Sequence, residues 1–252
     1  MTSVFRARGV SVSFGGVRAV AGVDLEIADG ELVGLIGPNG AGKTTFIDAV
    51  TGFVRYEGTV ELGGVRLDGL PPHIRAKRGL ARTWQTVELF DDLSVRENLT
   101  VAAKGGGSAS VEAELELLDL VAVSESMPWE LAQAARKRAG IGRALVTRPR
   151  LLCLDEPGAG LDVRQSKDLG ALLAGIARSG TAVLLVDHDM GLVLSACDRI
   201  VVLESGAVIA QGTPAEIRGD DRVIAAYLGH SAAAGTGATE TTETAGRAGA
   251  AG

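Results

Sequence analysis

A glycine-rich segment, GPNGAGKTT at 37–45, does more than any other feature of the sequence to limit the fold. It follows the apolar run ELVGLIG (31–37), which predicts a buried strand, and it leads into KTTFIDAVTG (43–52), which predicts a helix that ends at Gly52. The pattern G-x-x-x-x-G-K-[ST] between a strand and a helix is typical of a loop that wraps phosphate groups.

Small residues are needed in such a loop because its backbone N–H groups must approach the phosphates closely, where the dipole of the following helix adds to the attraction. We expect Lys43 to reach the β- and γ-phosphates, Thr44 to offer its hydroxyl to Mg²⁺, and Thr45 to help hold phosphate. A glycine-rich turn that binds nothing is the alternative interpretation. The candidate binding residues are Gly37, Pro38, Asn39, Gly40, Ala41, Gly42, Lys43, Thr44 and Thr45.

Two acidic residues end a second apolar run, LLCLDEP at 151–157. A strand that ends in Asp155 would bring this carboxylate to the sheet edge where the phosphate loop lies, and there it can bind Mg²⁺ directly or through water. Glu156 can then polarise a water molecule toward the γ-phosphate. A third apolar run, LLVDHDM at 184–190, ends beside His188, which is either close to the γ-phosphate or purely structural.

Apolar strands that alternate with helical segments predict an α/β fold, in which helices cover both faces of a parallel sheet. Residues 3–30 alternate weakly and predict short strands with turns at Gly15-Gly16 and Asp29-Gly30. The other expected elements are a hairpin at 58–69, a short helix at 71–81, strands at 150–157, 181–189 and 199–212, and a helix at 164–180.

Two regions differ in composition from the rest of the chain. A helical insert is expected from about 94 to 146, with a break at GGGS (105–108). Its last part is typical of the start of a helix and has the sequence PWELAQAARKRAGIGRAL (128–145). The low-complexity tail at 230–252 is expected to be disordered and dispensable.

The net charge of −6 argues against a broad surface for nucleic acid. The basic run HIRAKRGLAR at 73–82 is either a local basic patch or a solvated helix face, and we favour the solvated face. Cys153 and Cys197 form no CxxC pair, and Cys153 is typical of a small core residue in a reduced, cytosolic protein. We find neither a secretory signal nor a run of about 18 apolar residues, so any membrane contact is expected to pass through a partner.

The order of the motifs resembles the ATP-binding-cassette family of transport ATPases, and the likeness extends over about 4–229. The segments that carry it are VSFGG at 12–16, GPNGAGKTT, RTWQTVELF at 82–90, LLCLDEPGAGLD at 151–162 and VDHDM at 186–190. Within the family the sequence is similar to the ATPases of branched-chain amino-acid importers, and its ending GTPAEIRGDDRVIAAYLGH at 212–230 supports that subgroup. The ATPases of urea and amide importers share much of this sequence pattern.

The resemblance implies roles for individual residues. Phe14 would stack on adenine, Gln85 would be the lid glutamine that senses Mg²⁺ and touches the membrane subunit, and Asp162 would cross a dimer interface. Asp155 would bind Mg²⁺ with Thr44 and Gln85, Glu156 would be the catalytic base, and His188 would be the switch histidine.

The resemblance also implies the architecture and the partners. We expect a RecA-like, mostly parallel core with an antiparallel β subdomain at 1–94 and 146–229, and a short helical subdomain at 95–145. Such a chain hydrolyses ATP with Mg²⁺ at the cytoplasmic face of the cell membrane, together with a second cassette, permease subunits and, indirectly, an extracytoplasmic solute-binding protein. A non-hydrolysing regulatory cassette and a soluble cassette ATPase without a transport role are the alternatives.

The family's signature loop, close to L-S-G-G-Q, is altered in this chain. Its five positions are occupied by Leu131, Ala132, Gln133, Ala134 and Ala135, so alanines replace the last Gly and the Gln. In the family's head-to-tail dimer this loop approaches the γ-phosphate bound by the opposite subunit. A Cβ at Ala134 reduces the space between the loop backbone and that phosphate. The loss of the Ser hydroxyl and the Gln amide removes hydrogen bonds to it. We therefore expect that the pocket of this chain is intact and that the pocket it completes for its partner is impaired, which fits a heterodimer with one strong site. A chain that is drifting away from activity is the alternative.

Overall fold

A computed structural model describes residues 3–85, 89–103 and 108–227, without the side chains of 108 and 109. The expected disordered tail and most of the expected GGGS break lie outside this part of the chain. In the described part, every helix is too short or too polar to cross a bilayer.

Ten strands form two sheets. The strands are β1 Ser3–Phe14, β2 Val17–Ala28, β3 Leu32–Ile36, β4 Glu57–Leu62, β5 Val65–Arg66, β6 Leu80–Arg82, β7 Leu151–Asp155, β8 Ala182–Val186, β9 Arg199–Glu204 and β10 Ala207–Gly212. One sheet has the order β10-β9-β3-β8-β7-β6 and is parallel except for the β9–β10 hairpin. The other is antiparallel, with the order β2-β1-β4-β5.

Eight helices are bounded as follows. They are α1 Lys43–Thr51, α2 Pro72–Lys77, α3 Val95–Ala102, α4 Ser108–Leu117, α5 Gln133–Leu145, α6 Val163–Arg178, α7 Met190–Ala196 and α8 Pro214–Arg218. Single 3₁₀ turns lie at Val121–Val123 and Pro128–Glu130, and residues 221–227 are also helical.

The parallel sheet is buried on both faces, which explains why its central strands are almost wholly apolar. Every residue of β3, β7 and β8 is buried. Alternate side chains enter opposite cores: Leu152 and Leu154 pack under the helices, whereas Leu151 and Cys153 pack with α1 and the antiparallel sheet. The expected mixed α/β fold with an antiparallel sheet is therefore confirmed.

The segment between β6 and β7 is helical and packs tightly. Leu99 of α3, Leu115 of α4 and Ile141 of α5 belong to the same core as the lower face of the parallel sheet. A Cβ at Gly142 would lie 2.6 Å from Leu118 Cδ1, so the helices approach each other at this glycine. The subdomain limits at 95 and 145 remain a prediction.

Four local expectations need correction. The strands of 3–30 are long, with 12 residues each, because β1 pairs with β2 on one side and β4 on the other. The helix expected at 71–81 ends at Lys77, and its last residues form the edge strand β6. Residues 199–212 make two strands joined by a turn. The helix expected from 128 begins at Gln133, after a 3₁₀ turn.

Candidate functional site

The phosphate loop lies between the end of β3 and the start of α1, and two of its glycines are required by their surroundings. Gly37 has φ 152° and Gly42 has φ 100°. A Cβ would lie 2.1 Å from the Leu203 carbonyl oxygen at Gly37, and 2.4 Å from the Ala19 carbonyl oxygen at Gly42. The loop therefore takes a shape that only glycine allows, directly before the N-terminus of a helix.

Lys43, the first residue of α1, lies across this loop. Its Nζ donates to the carbonyl oxygens of Gly37 (2.7 Å) and Pro38 (3.0 Å), and the residue is 7% exposed. Burial lowers the pKa of Lys43, while the carboxylates of Glu156 and Asp155 act in the opposite direction. The ammonium is thus held between the loop and two acids.

Asp155 ends β7 and is almost fully buried, with 5% exposure. Its Oδ2 accepts a hydrogen bond from Arg82 Nη2 at 3.0 Å. Burial raises the pKa of Asp155, and the hydrogen bond and charge of Arg82 oppose that rise. The guanidinium beside it helps to keep a carboxylate in this buried position.

Glu156 meets two other residues that the sequence singled out. Its Oε2 accepts a hydrogen bond from Gln85 Nε2 at 2.7 Å and lies 3.7 Å from His188 Nδ1. Glu156 itself has φ 49°, and its N–H donates to the Val186 carbonyl oxygen at 2.7 Å. The turn after β7 is thereby fixed to the end of β8, which brings the carboxylate, the amide and the imidazole together.

The oxygen donors present fit Mg²⁺. Thr44 presents a hydroxyl on the exposed first turn of α1, Asp155 a carboxylate, and Gln85 an amide oxygen, all hard ligands of the kind this cation takes. In the described part of the chain, no three His, Cys, Asp or Glu residues cluster so as to hold a metal alone. A cation here would draw its remaining ligands from phosphate and water.

Sequence reasoning missed Asp187, which is fully buried at the end of β8. Its carboxylate accepts from the N–H groups of Gly158 (2.7 Å) and Asp189 (2.9 Å). These bonds hold the backbone that follows Glu156 and the backbone on either side of His188. The signal in the sequence is the position of Asp187, an acid directly after the apolar run at 182–186.

The interpretation of the basic run at 73–82 as a solvated helix face is wrong for two of its arginines. Arg75 is 2% exposed, and the Arg82 side chain is 5% exposed. Arg82 reaches Asp155 and Asp48 from β6, the strand that the sequence did not predict. Lys77 and Arg78 are exposed as expected.

Phe14 and Asp162 lie at exposed positions. Phe14 ends β1 beside the Gly15-Gly16 turn and is 52% exposed. Asp162 caps the N-terminus of α6, where its side chain accepts from the Gln165 N–H at 2.8 Å. Their roles toward adenine and a dimer partner remain predictions.

The segment Leu131–Ala135 leads from a 3₁₀ turn into α5, which begins at Gln133. Ala132 is the N-cap and supplies no side-chain hydrogen bond. Gln133 Nε2 donates to the Ala159 carbonyl oxygen at 3.4 Å, and a Cβ at Gly160 would lie 2.4 Å from the same nitrogen. The loop therefore packs on the GAGLD segment of its own chain, with the methyl groups of Ala134 and Ala135 where the signature pattern has glycine and glutamine.

A groove of about 520 Å³ opens between α2, β6 and α5, next to Asp155 and Glu156, which we call the acidic cluster. Its lining includes Phe53, Arg82, Trp84, Gln85, Lys137 and Arg143. Phe53 and Trp84 meet edge to face with ring centroids 4.9 Å apart, and both are exposed. The groove thus combines an aromatic wall with cationic side chains.

Comparisons with known proteins give a consistent result. Residues 20–159 match the family described as ABC transporter, and residues 207–233 match the family described as branched-chain amino acid ATP-binding cassette transporter. The high-affinity branched-chain amino acid transport ATP-binding protein BraF of Pseudomonas aeruginosa is 39% identical over 251 residues, which cover 90% of this chain and 98% of BraF.

A second sequence relative and a solved structure are also similar to this chain. The lipopolysaccharide export system ATP-binding protein LptB of Escherichia coli K12 is 36% identical over 231 residues, with 88% of this chain and 96% of LptB covered. A crystal structure of the ADP conformation of an ATP-binding cassette of an ABC transporter superposes with a TM-score of 0.83 at 27% identity, over 91% of this chain and all of that chain.

Proposed function

Because this chain belongs to the ATP-binding-cassette family of transport ATPases, we propose that it is the ATP-hydrolysing subunit of an importer for branched-chain amino acids. The name of BraF and the match of residues 207–233 to the branched-chain amino acid family support this solute class. LptB, an export protein, has a similar sequence identity to this chain, so overall identity alone does not select the solute. The assignment of the solute class therefore depends mainly on the match of residues 207–233.

One observation carries the catalytic proposal: Gln85 Nε2 and His188 Nδ1 lie 2.7 and 3.7 Å from the same oxygen of Glu156. A carboxylate oriented in this way, at the sheet edge that carries the phosphate loop, is placed to accept a proton from a water molecule that attacks the γ-phosphate. His188 can donate to the γ-phosphate or to the same water.

The other site residues bind rather than react. The loop at 37–42 and Lys43 would hold the β- and γ-phosphates, Phe14 would stack on adenine, and Asp162 would face the second cassette. Thr44, Asp155 and Gln85 would hold Mg²⁺, which supplies positive charge against the phosphate oxygens. Asp187 holds the backbone that carries Glu156 and His188 through its two N–H bonds.

We further propose that the chain acts at the cytoplasmic face of a membrane, paired with a second cassette and docked to permease subunits, with an extracytoplasmic protein delivering the solute. We assign the docking surface to the groove beside Gln85, because it exposes the aromatic rings of Phe53 and Trp84 and is lined by Gln85, the hydrogen-bond partner of Glu156. The altered Leu131–Ala135 loop favours a partner cassette that differs from this chain.

The test of hydrolysis is ATP turnover by the chain assembled with its permease and second cassette. Glu156→Gln is expected to lower turnover by about 10²–10⁴-fold while ATP binding is retained, because only the proton acceptor is lost. The matched control is Glu57→Gln, an exposed carboxylate in β4 that should leave turnover unchanged. Unchanged turnover by Glu156→Gln would overturn the assignment of the base, and a non-hydrolysing role would then be favoured.

The solute class needs a separate measurement. In the same assembly, with its solute-binding protein, leucine or valine is expected to stimulate turnover, whereas urea and short amides should not. Stimulation by urea or an amide alone would replace the branched-chain assignment without affecting the assignment of the catalytic residues.

A further inference from the structure

Arg82 connects the acidic cluster to the groove. Its Nη2 donates to Asp155 Oδ2 at 3.0 Å, and its Nη1 pairs with Asp48 of α1. The Cζ atom of the same guanidinium lies over the ring of Trp84, 4.1 Å from its centroid. One buried side chain therefore touches the helix of the phosphate loop, the proposed Mg²⁺ ligand and the groove wall.

We propose that Arg82 is a positioning residue that couples the state of Asp155 to the position of Trp84 in the groove. This inference rests on the proposed function, because it needs Mg²⁺ and nucleotide at Asp155. It adds to that function a named physical connection between the nucleotide site and the docking surface.

The chemistry of arginine makes the connection specific. A planar guanidinium can bond two carboxylates along its edge while its face stacks on an aromatic ring, whereas a lysine ammonium is a point charge that cannot do both. In the described part of the structure, Arg82 Nε is buried without a hydrogen-bond partner. The guanidinium is thus anchored at its Nη atoms and by stacking, and a change at either anchor is transmitted to the other.

A divalent cation at Asp155 changes the first anchor. The cation and the guanidinium carry like charge and share one carboxylate, so cation binding weakens the hold of Asp155 on Nη2. The guanidinium then shifts against the Trp84 ring. If this shift changes the affinity for a partner that contacts Trp84, thermodynamic linkage requires the reverse effect as well. Binding of that partner then changes the affinity for Mg²⁺-nucleotide by the same factor.

Tryptophan fluorescence can detect this shift. The chain has two tryptophans, so the full-length Trp129→Phe variant reports on Trp84 alone. In this parent, ADP with Mg²⁺ is expected to change Trp84 emission, and ADP with EDTA should give less than about one fifth of that change. This comparison requires no substitution at Arg82, so it tests the proposal even where an Arg82 variant folds poorly.

The variant Arg82→Lys, made in the same parent, isolates the guanidinium. It should reduce the response to Mg²⁺-ADP by about fivefold or more, while ADP binding in EDTA stays within about twofold of the parent. The matched control is Arg66→Lys. Arg66 lies on β5, outside the nucleotide site and the groove, and pairs with Asp68. That control should keep the full response.

Two results would overturn the proposal: a full Trp84 response in Arg82→Lys, or a silent Trp84 in a parent that demonstrably binds Mg²⁺-ADP. Equilibrium dialysis of ADP separates these from a failure of the proposed function, in which the parent would bind no nucleotide under either condition.

Discussion

At the scale of single residues, the two cysteines give a direct test of the core. Cys153 is 0% and Cys197 is 7% exposed, and burial raises the pKa of both thiols to about 12 from a usual value of 9.0. The thiolate is the form that attacks a thiol reagent, and it is scarce in the folded protein at pH 8. We expect neither thiol to react with an aromatic disulfide reagent in the native protein, and both to react in denaturant.

The same shift has a consequence for stability. Because the folded pKa lies above the unfolded one, the unfolded chain loses these protons first, and the free energy of unfolding should fall as pH rises from about 9 toward 12. Rapid modification of either thiol in the native protein at pH 8 would contradict the burial of β7 or of the segment after α7.

Residue by residue, the sequence predicted the chemical groups of the site better than their contacts. Lys43, Asp155, Glu156 and His188 follow recognisable strand ends, and the structure places them at one edge of the sheet. Arg82 could not be predicted, because its partners Asp48 and Asp155 are 34 and 73 residues away. The pairing of β6 with β7 brings Arg82 beside Asp155, and the packing of α1 brings Asp48 to the same guanidinium.

At the scale of elements, α2 stabilises the end of α1 through one buried side chain. Arg75 donates to the carbonyl oxygens of Val50 (2.8 Å), Ala49 (3.2 Å) and Leu70 (2.8 Å). The first two belong to the last turn of α1, where a cation also meets the negative end of the helix dipole. The helix that begins at the phosphate loop is thereby capped from a neighbouring element.

We predict that Arg75→Met lowers the free energy of unfolding by about 2–4 kcal/mol, because it removes the Arg75 donors to the Val50 and Leu70 carbonyl oxygens and leaves the Ala49 oxygen with the Gly52 N–H alone. Urea denaturation followed by circular dichroism measures the change. Arg78→Met, one turn further on and exposed, is the control and should stay within about 0.5 kcal/mol of the unsubstituted protein. Equal midpoints for the two variants would show that the Arg75 bonds contribute nothing measurable.

Element boundaries show where sequence patterns lose information. The five-residue central strands were predictable because parallel strands are apolar throughout. The strand β6 was missed because it has only three residues and is separated from α2 by Arg78 and Gly79 alone. The order of the strands in the sheet, which brings Asp187 beside Gly158, follows from packing rather than from any local pattern.

At the scale of the whole molecule, the altered Leu131–Ala135 loop is the feature on which the proposed choice of a partner cassette depends. Family and fold could be predicted from the motifs, but the strength of a contact with another subunit could not. In the proposed head-to-tail dimer, the start of α5 faces the γ-phosphate bound by the second cassette. The helix dipole remains at that end, whereas the glycine and the glutamine amide do not.

We predict that the Glu156→Gln variant of this chain, which should trap closed dimers, stays monomeric with Mg²⁺ and ATP. Adding Ala134→Gly and Ala135→Gln should strengthen its ATP-dependent self-association by about tenfold or more. The glycine removes a Cβ from the approach, and the restored amide adds a hydrogen bond to a charged group, worth about 1–3 kcal/mol. Light scattering over a range of protein concentrations gives both association constants.

The control for this last comparison is Ala113→Gly in the Glu156→Gln variant, because it places a glycine at an exposed helical position away from the loop. This variant should remain monomeric with Mg²⁺ and ATP. It therefore shows whether a glycine that merely weakens a helix can promote self-association, or whether the glycine must lie at the γ-phosphate contact. A Glu156→Gln chain that dimerises as tightly as the repaired chain would mean that the present loop already grips the γ-phosphate. The case for a different partner cassette would then fail, and a homodimer with two equivalent sites would replace it.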